Sequence, residues 1–275
     1  MFTLNSKGRL WVVDKPQVMG ILNITPDSFY SGSRFDTAAA VDQAGNMLET
    51  GAAILDIGGQ STRPGSRLLS ASEELERVLP VIEAIRRAYP SCWISVDTFY
   101  AAVAREAVTA GADIVNDISA GLMDPPMLDT VAALQIPYIL MHMKGTPQTM
   151  QADPVYENVT LEVLDFLIER IAACKKAGIR DLVIDPGFGF GKTIAHNFRL
   201  LKELAAFKVT GLPILAGLSR KSTIYKTLGT DAAGALNGTT VLNTLALLNG
   251  ASLLRVHDVK EALETVILTE AYRHL

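Results

Sequence analysis

Leu182-Val183-Ile184-Asp185-Pro186-Gly187-Phe188-Gly189-Phe190-Gly191-Lys192-Thr193 is a short apolar run that ends on one acid, enters a glycine-rich loop and precedes a helical pattern from about Ala195. A buried strand that hands over to a loop and then a helix is one unit of a parallel α/β fold. The lysine invites a phosphate reading, but the spacing rejects it. A Walker A loop needs glycine, four residues and Gly-Lys-Ser/Thr, and the required glycine falls on Pro186. The dinucleotide fingerprint fails as well, since its third glycine position is Lys192. Two readings stay open from these residues alone: a functional loop at a strand end, or a tight helix-entry turn.

Outward from this stretch the same unit repeats. Apolar strand candidates lie at Val18–Leu22, Ala53–Ile57, Trp93–Val96, Asp113–Val115, Tyr138–Met141, Leu182–Ile184, Ile214–Ala216 and Ser252–Val256. Helical patterns follow near 37–50, 71–88, 99–110, 126–134, 158–178, 195–207, 231–249 and 258–274. The first residues, with Gly8 between Phe2-Thr3-Leu4 and Leu10-Trp11-Val12-Val13, read as a hairpin. Ser70 or Ser72 before Glu73-Glu74-Leu75 marks a helix start. No break in composition divides the chain, so the expected architecture is a single domain over 1–275. It is an α/β (β/α)8 TIM barrel whose bottom is capped by the N-terminal hairpin. An open doubly wound sheet is the alternative.

Composition narrows the function. With 49% hydrophobic and 20% charged residues in 275, a large core is available, and the net charge of −4 offers no basic face for nucleic acid. Cys92 and Cys174 are too few for a disulfide framework or a zinc site and read as buried thiols. No signal peptide or membrane-spanning run is evident, so a reducing cytoplasm is expected.

In a barrel the residues that close the strands converge on one mouth. Here they are Asn23, Asp56, Asp97, Asn116-Asp117, His142, Asp185, Ser219 with Arg220-Lys221, and Arg255 with His257. For any one of them a plain strand terminator is an adequate reading. Together, Asp97, Asn116 and Asp185 suit the amide and amidine edges of a flat heterocycle, and Arg63, Lys221, Arg255 and His257 suit phosphate. Two long loops, at 24–34 and 58–66, mix Gly, Ser and Pro as covers over a site do, although plain connections would read alike. Lys221-Ser222 opens a helix-like segment whose N-terminus favours an anion.

Six blocks then resemble one family. They are Asn-Ile-Thr-Pro-Asp-Ser-Phe at 23–29, Asp-Ile-Gly-Gly-Gln-Ser-Thr-Arg-Pro-Gly at 56–65, Asn-Asp-Ile at 116–118, Asp-Pro-Gly-Phe-Gly-Phe-Gly-Lys-Thr at 185–193, Gly-Leu-Ser-Arg-Lys-Ser at 217–222 and Arg-Val-His-Asp at 255–258. In this order they resemble dihydropteroate synthase, over essentially the whole chain. The resemblance implies a TIM barrel, usually a homodimer, that joins 6-hydroxymethyl-7,8-dihydropterin diphosphate to p-aminobenzoate with Mg2+ present. It implies that Asp97, Asn116, Ile118, Met141, Asp185, Phe190, Gly217, Lys221 and Arg255 hold the pterin. Asn23 is then the protein ligand to Mg2+ and, with Thr62, Arg63, Arg255 and His257, meets the diphosphate. Phe29, Thr62, Pro64, Lys221 and Ser222 form the p-aminobenzoate subsite. The catalytic set is Arg63, Lys221, Arg255 and His257, and Lys192 is peripheral. Two positions depart from the family pattern: Ser31 replaces an acid in the first loop, and Gln60 replaces a glutamate in the second. The alternatives are a pterin-binding paralogue of low activity and a methyltetrahydrofolate-dependent methyltransferase of the same fold. A barrel aldolase with a Schiff-base lysine fits less well, because Lys221 lies beyond its strand.

Overall fold

The computed structural model describes residues 1–24, 30–31, 34–35, 37–60, 67–146, 150 and 154–273, with the backbone only at 30, 31, 34 and 35. The chain opens with the expected hairpin, β1 (Phe2–Ser6) and β2 (Arg9–Val13), paired antiparallel. Its two-residue turn places Lys7 and Gly8 at φ +52° and +91°, the left-handed pair that matches hairpin twist. Parallel strands follow as β3 (Gln17–Asn23), β6 (Ile54–Gly58), β7 (Trp93–Asp97), β8 (Ile114–Asp117), β9 (Tyr138–Met141), β10 (Leu182–Asp185), β11 (Leu215–Ala216) and β12 (Leu253–Val256). A two-stranded ribbon, β4 (Tyr30–Ser31) and β5 (Arg34–Phe35), lies in the first long loop.

The eight parallel strands pair in the order β10-β9-β8-β7-β6-β3-β12-β11. The ends of that order also meet: Ile184 bridges Ile214, and its amide donates to the Pro213 carbonyl at 3.0 Å. This contact closes the barrel and excludes the open sheet. β9 has the expected limits. β3, β7, β8 and β10 run one or two residues past their expected ends because pairing continues through Asn23, Asp97, Asp117 and Asp185, and β6, β11 and β12 begin one residue later than expected.

Among the described residues the outer ring comprises α1 (Thr37–Glu49), α2 (Ala71–Ala88), α3 (Ala101–Ala110), α4 (Met127–Leu134), α5 (Val159–Ala177), α6 (Ile194–Lys202), α7 (Ser222–Leu228), α8 (Leu236–Leu248) and α9 (Val259–Arg273). Ser70 is the cap of α2: its hydroxyl accepts from the Glu73 amide, and Glu73 reaches back to the Ser70 amide. The pattern expected over 195–207 splits into α6 and a 3-10 turn at Leu204–Thr210, and the one over 231–249 begins as a 3-10 turn at Ala233–Ala235. Cys92 and Cys174 are free and buried, as expected. Among the described residues no helix is long and apolar enough to cross a membrane.

The barrel interior is built in layers. Met19, Ile54, Trp93, Ile114, Ile139, Val183, Leu215 and Leu253, one from each parallel strand, form a single apolar cluster with Leu4 of the hairpin. Leu4 therefore plugs the N-terminal mouth. Trp11 stacks on Trp93 at 5.3 Å, and Arg9 bridges to Asp113 at 3.3 Å, so the plug is held from two sides. Side chains alternate along a strand, so the next inward layer lies two residues further on. That layer reads Ile21, Asp56, Ser95, Asn116, Met141, Asp185, Gly217 and Arg255. The interior thus changes from apolar to charged in one step, towards the C-terminal mouth.

Leu4→Ala should lower unfolding stability in urea by roughly 2–5 kcal/mol, the usual range for a buried leucine. Because the plug lies at the opposite end from the charged layer, kcat at a temperature where the variant is folded should stay near that of the parent.

Candidate active site

Arg255 organises the C-terminal mouth. Its Nε donates to Asp56 Oδ2 at 2.6 Å and its Nη2 to Asp97 Oδ2 at 2.6 Å. Asn116 Nδ2 donates to the same Asp56 oxygen at 3.1 Å. Asp56 is fully buried, and its Oδ1 has no hydrogen-bond partner among the described residues, so Arg255 carries nearly all the compensation for that charge. Burial opposes the charge of Arg255, but Asp56 and Asp97 hold its pKa above the ordinary guanidinium value. Burial also raises Asp97, with the Arg255 charge acting the other way. In the sequence nothing marks Asp56 beyond its place at a strand end; the fold makes it the anchor of Arg255.

Asp185 and Lys221 form the second charged group. Burial raises Asp185, against which the Lys221 charge and the Gly187 amide, 2.7 Å from Oδ1, act together. Burial lowers Lys221 to about 8, with Asp185 opposing and Arg255 adding to the shift. Lys221 Nζ donates to the Phe188 carbonyl and lies 4.6 Å from the centre of the Phe190 ring. A Cβ at Gly217 would stand 3.9 Å from Lys221 Nζ and 4.0 Å from Asp185 Oδ2, so a larger side chain would project between them. Beside these groups Phe99, Ile118 and Met141 form a buried apolar cluster, with half-buried Phe190, Met143 and Tyr100 packed on it. A charged rim over an apolar wall suits a flat polar heterocycle.

His257 stands at the rim of the mouth. Ser219 Oγ accepts from the His257 amide at 3.1 Å and lies 3.0 Å from its ring Nδ1. The hydroxyl has one O–H and a second lone pair left for Nδ1, so this contact orients the ring in either tautomer. Although His257 keeps solvent contact at the rim, desolvation by the surrounding mouth, with Arg255 second, lowers it to about 4. The imidazole is neutral at pH 7, so it offers an N–H donor and no charge. Lys221 itself precedes α7, and Ser222 is the first residue of that helix.

The glycines of the 185–193 stretch have separate jobs. A Cβ at Gly187 would collide with the His142 carbonyl oxygen, and one at Gly191 with the Lys144 carbonyl oxygen. These two glycines let the loop after β10 lie against the loop after β9. Gly189, at φ +84°, donates its amide to Asn197 Oδ1 at 2.7 Å, which ties the loop to α6. Lys192 is not peripheral, as expected from sequence, but 3% exposed and surrounded by acceptors. Asp117, which shares the strand-end pattern, is structural: it accepts from Tyr138, Ser119 and the Gly121 amide beneath the mouth.

Phe29, Thr62, Arg63 and Pro64 lie outside the described residues, and the side chain of Ser31 does too. The base of the second loop is described. Gln60 Nε2 donates to the Leu69 carbonyl and to Glu74 Oε2, both at 3.1 Å, while its Oε1 accepts from the Leu69 amide at 3.1 Å. An amide can satisfy all three contacts, whereas a glutamate would place two carboxyls against each other. Burial raises Glu74 to about 7, with hydrogen bonds from Thr98 and Gln60 opposing.

Comparison with known proteins agrees with this geometry. Residues 19–257 match the family model described as pterin binding enzyme. A dihydropteroate synthase of Escherichia coli K12 is 46% identical over 98% of this chain and 95% of its own length. The Yersinia pestis dihydropteroate synthase structure with a sulfonamide drug complex superposes with a TM-score of 0.94 at 42% identity, covering all of both chains. The Xanthomonas albilineans dihydropteroate synthase with 4-aminobenzoic acid gives 0.92 at 44%, covering 99% of this chain and 98% of that one.

Glu74 yields a stability prediction. Its folded pKa of about 7 exceeds the ordinary 4.5, so between these values the folded chain keeps a proton that the unfolded chain releases. Stability is therefore lost as pH rises through that window, by up to roughly 3 kcal/mol. Urea unfolding from pH 5 to 8 should show a decline in the parent that Glu74→Gln flattens. Equal slopes in the two proteins would contradict the assignment.

Proposed function

The chain belongs to the pterin-binding enzyme family, with the activity of a dihydropteroate synthase, and from that premise we propose how its residues divide the reaction. The reaction joins 6-hydroxymethyl-7,8-dihydropterin diphosphate to p-aminobenzoate and gives 7,8-dihydropteroate and diphosphate in folate biosynthesis. The observation that carries the assignment is the convergence of Asp97, Asn116, Asp185, Lys221 and Arg255 on one slot with an apolar wall.

Asp185 and Asn116 present an acceptor and an amide to the amino-pyrimidinone edge of the pterin, and Lys221 donates on its carbonyl side. Met141, Ile118 and Phe190 cover the ring, with Gly217 leaving room between Asp185 and Lys221. Asp97 anchors Arg255 and completes the pterin edge. Arg255 lies along the ring, where its guanidinium can stack and its charge reaches the diphosphate. His257 adds a neutral N–H, and Thr62 and Arg63 meet the same group. Phe29, Pro64, Ser222 and Lys221 receive p-aminobenzoate.

The C–O bond to diphosphate breaks first in this account. The electron-rich dihydropterin spreads the positive charge left on its methylene carbon, and the arylamine attacks there and then loses a proton. An arylamine is neutral at pH 7, so no dedicated base is required, and the protein's work is to stabilise the leaving group.

Asn23 would hold Mg2+. It closes β3 with a half-buried side chain that makes no hydrogen bond among the described residues. No cluster of three or more His, Cys, Asp or Glu able to hold a metal occurs among those residues. A single amide oxygen fits a hard cation that keeps waters and takes its other ligands from a diphosphate. When bound, the ion would neutralise charge on the departing diphosphate. A homodimer is supported by exposed apolar side chains on the adjacent helices α8 and α9, namely Val241, Leu245 and Leu248 with Ile267, Leu268 and Tyr272. A cytoplasmic location is consistent with the two free thiols.

Diphosphate release from the pterin diphosphate should depend on p-aminobenzoate over repeated turnovers and yield dihydropteroate. Lys221→Ala and Asp185→Asn should each lower kcat/KM about 100-fold or more, the scale of a lost charge-assisted contact, with unfolding curves near those of the parent. Binding of the pterin without any p-aminobenzoate-dependent product would favour the low-activity paralogue instead.

A further inference from the structure

Lys192 is a buried titratable group that the reaction leaves unused. Its Nζ donates to the Gly187 carbonyl at 2.8 Å and the Phe190 carbonyl at 3.1 Å, and lies 2.8 Å from His142 Nδ1, with the His142 carbonyl further off at 3.4 Å. An ammonium has three N–H donors, and the three near acceptors take them all. Burial, with the Lys192 charge second, lowers His142 to about 2, so its ring is neutral and Nδ1 is free to accept. Among the described residues no carboxylate lies within ion-pair distance of Lys192. Burial drives its own pKa well down, and Asp185 opposes that shift.

Such an arrangement is poor economy if stability alone is at stake, because an apolar side chain would fill the space without desolvating an amine. What the amine does is geometric. Its acceptors belong to two neighbouring loops, the one after β9 and the one after β10. Between the two carbonyls it holds sits Phe188, whose own carbonyl accepts from Lys221, and the second of them belongs to Phe190, whose ring lies against the same Lys221. The clamp is continued outward by Tyr156, whose hydroxyl donates to the Gly191 carbonyl at 2.8 Å.

We propose that Lys192 is a positioning residue for the pterin slot: by gathering the Gly187 and Phe190 carbonyls onto the His142 ring, it fixes the loop that sets the place and surroundings of Lys221. This rests on the assignment of Lys221 and Phe190 to the pterin. The charged groups around Lys221 are Asp185 on β10, Arg255 on β12, Asp97 on β7 and Lys192 itself. When the clamp is removed the loop loosens and water reaches Lys221. Relief of its burial moves the Lys221 pKa upwards from about 8.

The test compares Lys192→Met and the milder His142→Ala with the parent, in steady-state kinetics for both substrates from pH 6 to 10. In Lys192→Met, KM for the pterin diphosphate should rise about 10-fold or more, the scale of a lost hydrogen-bonded contact to a charged group. KM for p-aminobenzoate should move less than about threefold by the same scale, and the alkaline limb of kcat/KM should shift to higher pH. His142→Ala should shift both quantities in the same direction by less, and it decides the matter if Lys192→Met does not fold. A folded variant that loses kcat alone, with the pterin KM and the alkaline limb unmoved, would assign Lys192 a purely structural role and overturn the proposal. If the parent itself does not turn over the pterin diphosphate, the assignment of the slot fails, which is a separate result.

Discussion

Everything at the C-terminal mouth depends on how one guanidinium is neutralised. Arg255 sits inside the barrel, where an unpaired charge would be costly, and two carboxylates from two other strands meet it at 2.6 Å each. The pairing works because the barrel brings β6, β7 and β12 to one ring and alternation points their polar residues inward. A planar fork with fixed donors can serve two carboxylates and still present a face. Asn116 is drawn in by the same Asp56 oxygen, so the pterin edge and the diphosphate end of the slot share one anchor. The apolar layer below, sealed by Leu4, keeps water from entering beneath this network.

The second constraint is how closely two loops can lie together. The loops after β9 and β10 touch through backbone, at Gly187 against His142 and Gly191 against Lys144, and a side chain at either glycine would separate them. Their contact places Asp185, Phe188 and Phe190 around Lys221. The slot is therefore shaped from both sides: by ion pairs on the β6–β7–β12 side, and by packed backbone on the β9–β10 side. At the rim, Gln60 joins the start of the second loop to Leu69 and α2 through three hydrogen bonds. The glutamine that departs from the family pattern thus has a local reason, since it faces the buried Glu74.

Much of this was legible in the chain itself. Eight apolar strands ending on polar residues, each followed by a helical period, specify a closed barrel, and the hairpin with its Lys7-Gly8 turn reads from local chemistry alone. Asp97, Asn116, Asp185, Lys221, Arg255 and His257 all reach the mouth because strand ends are what a barrel gathers there. The pairing between them was not legible. Asp56 and Arg255 are 199 positions apart, and nothing local says that one neutralises the other. The burial of Lys192 is hidden for a related reason: its acceptors are backbone carbonyls and a histidine ring, groups that leave no charge pattern in the sequence. The lowered pKa of His257 likewise follows from desolvation at the mouth and the Arg255 charge, which only the fold supplies.

The central claim is that Asp56 acts on the pterin through Arg255. A double-mutant cycle tests it most directly, with calorimetric binding of 6-hydroxymethyl-7,8-dihydropterin diphosphate measured for the parent, Asp56→Asn, Arg255→Gln and the double variant. The account predicts strong coupling: Asp56→Asn weakens binding at least about 10-fold when Arg255 is present and markedly less once Arg255 is gone, the remaining loss passing through Asn116. Additive losses, with Asp56→Asn costing the same in both backgrounds, would contradict it.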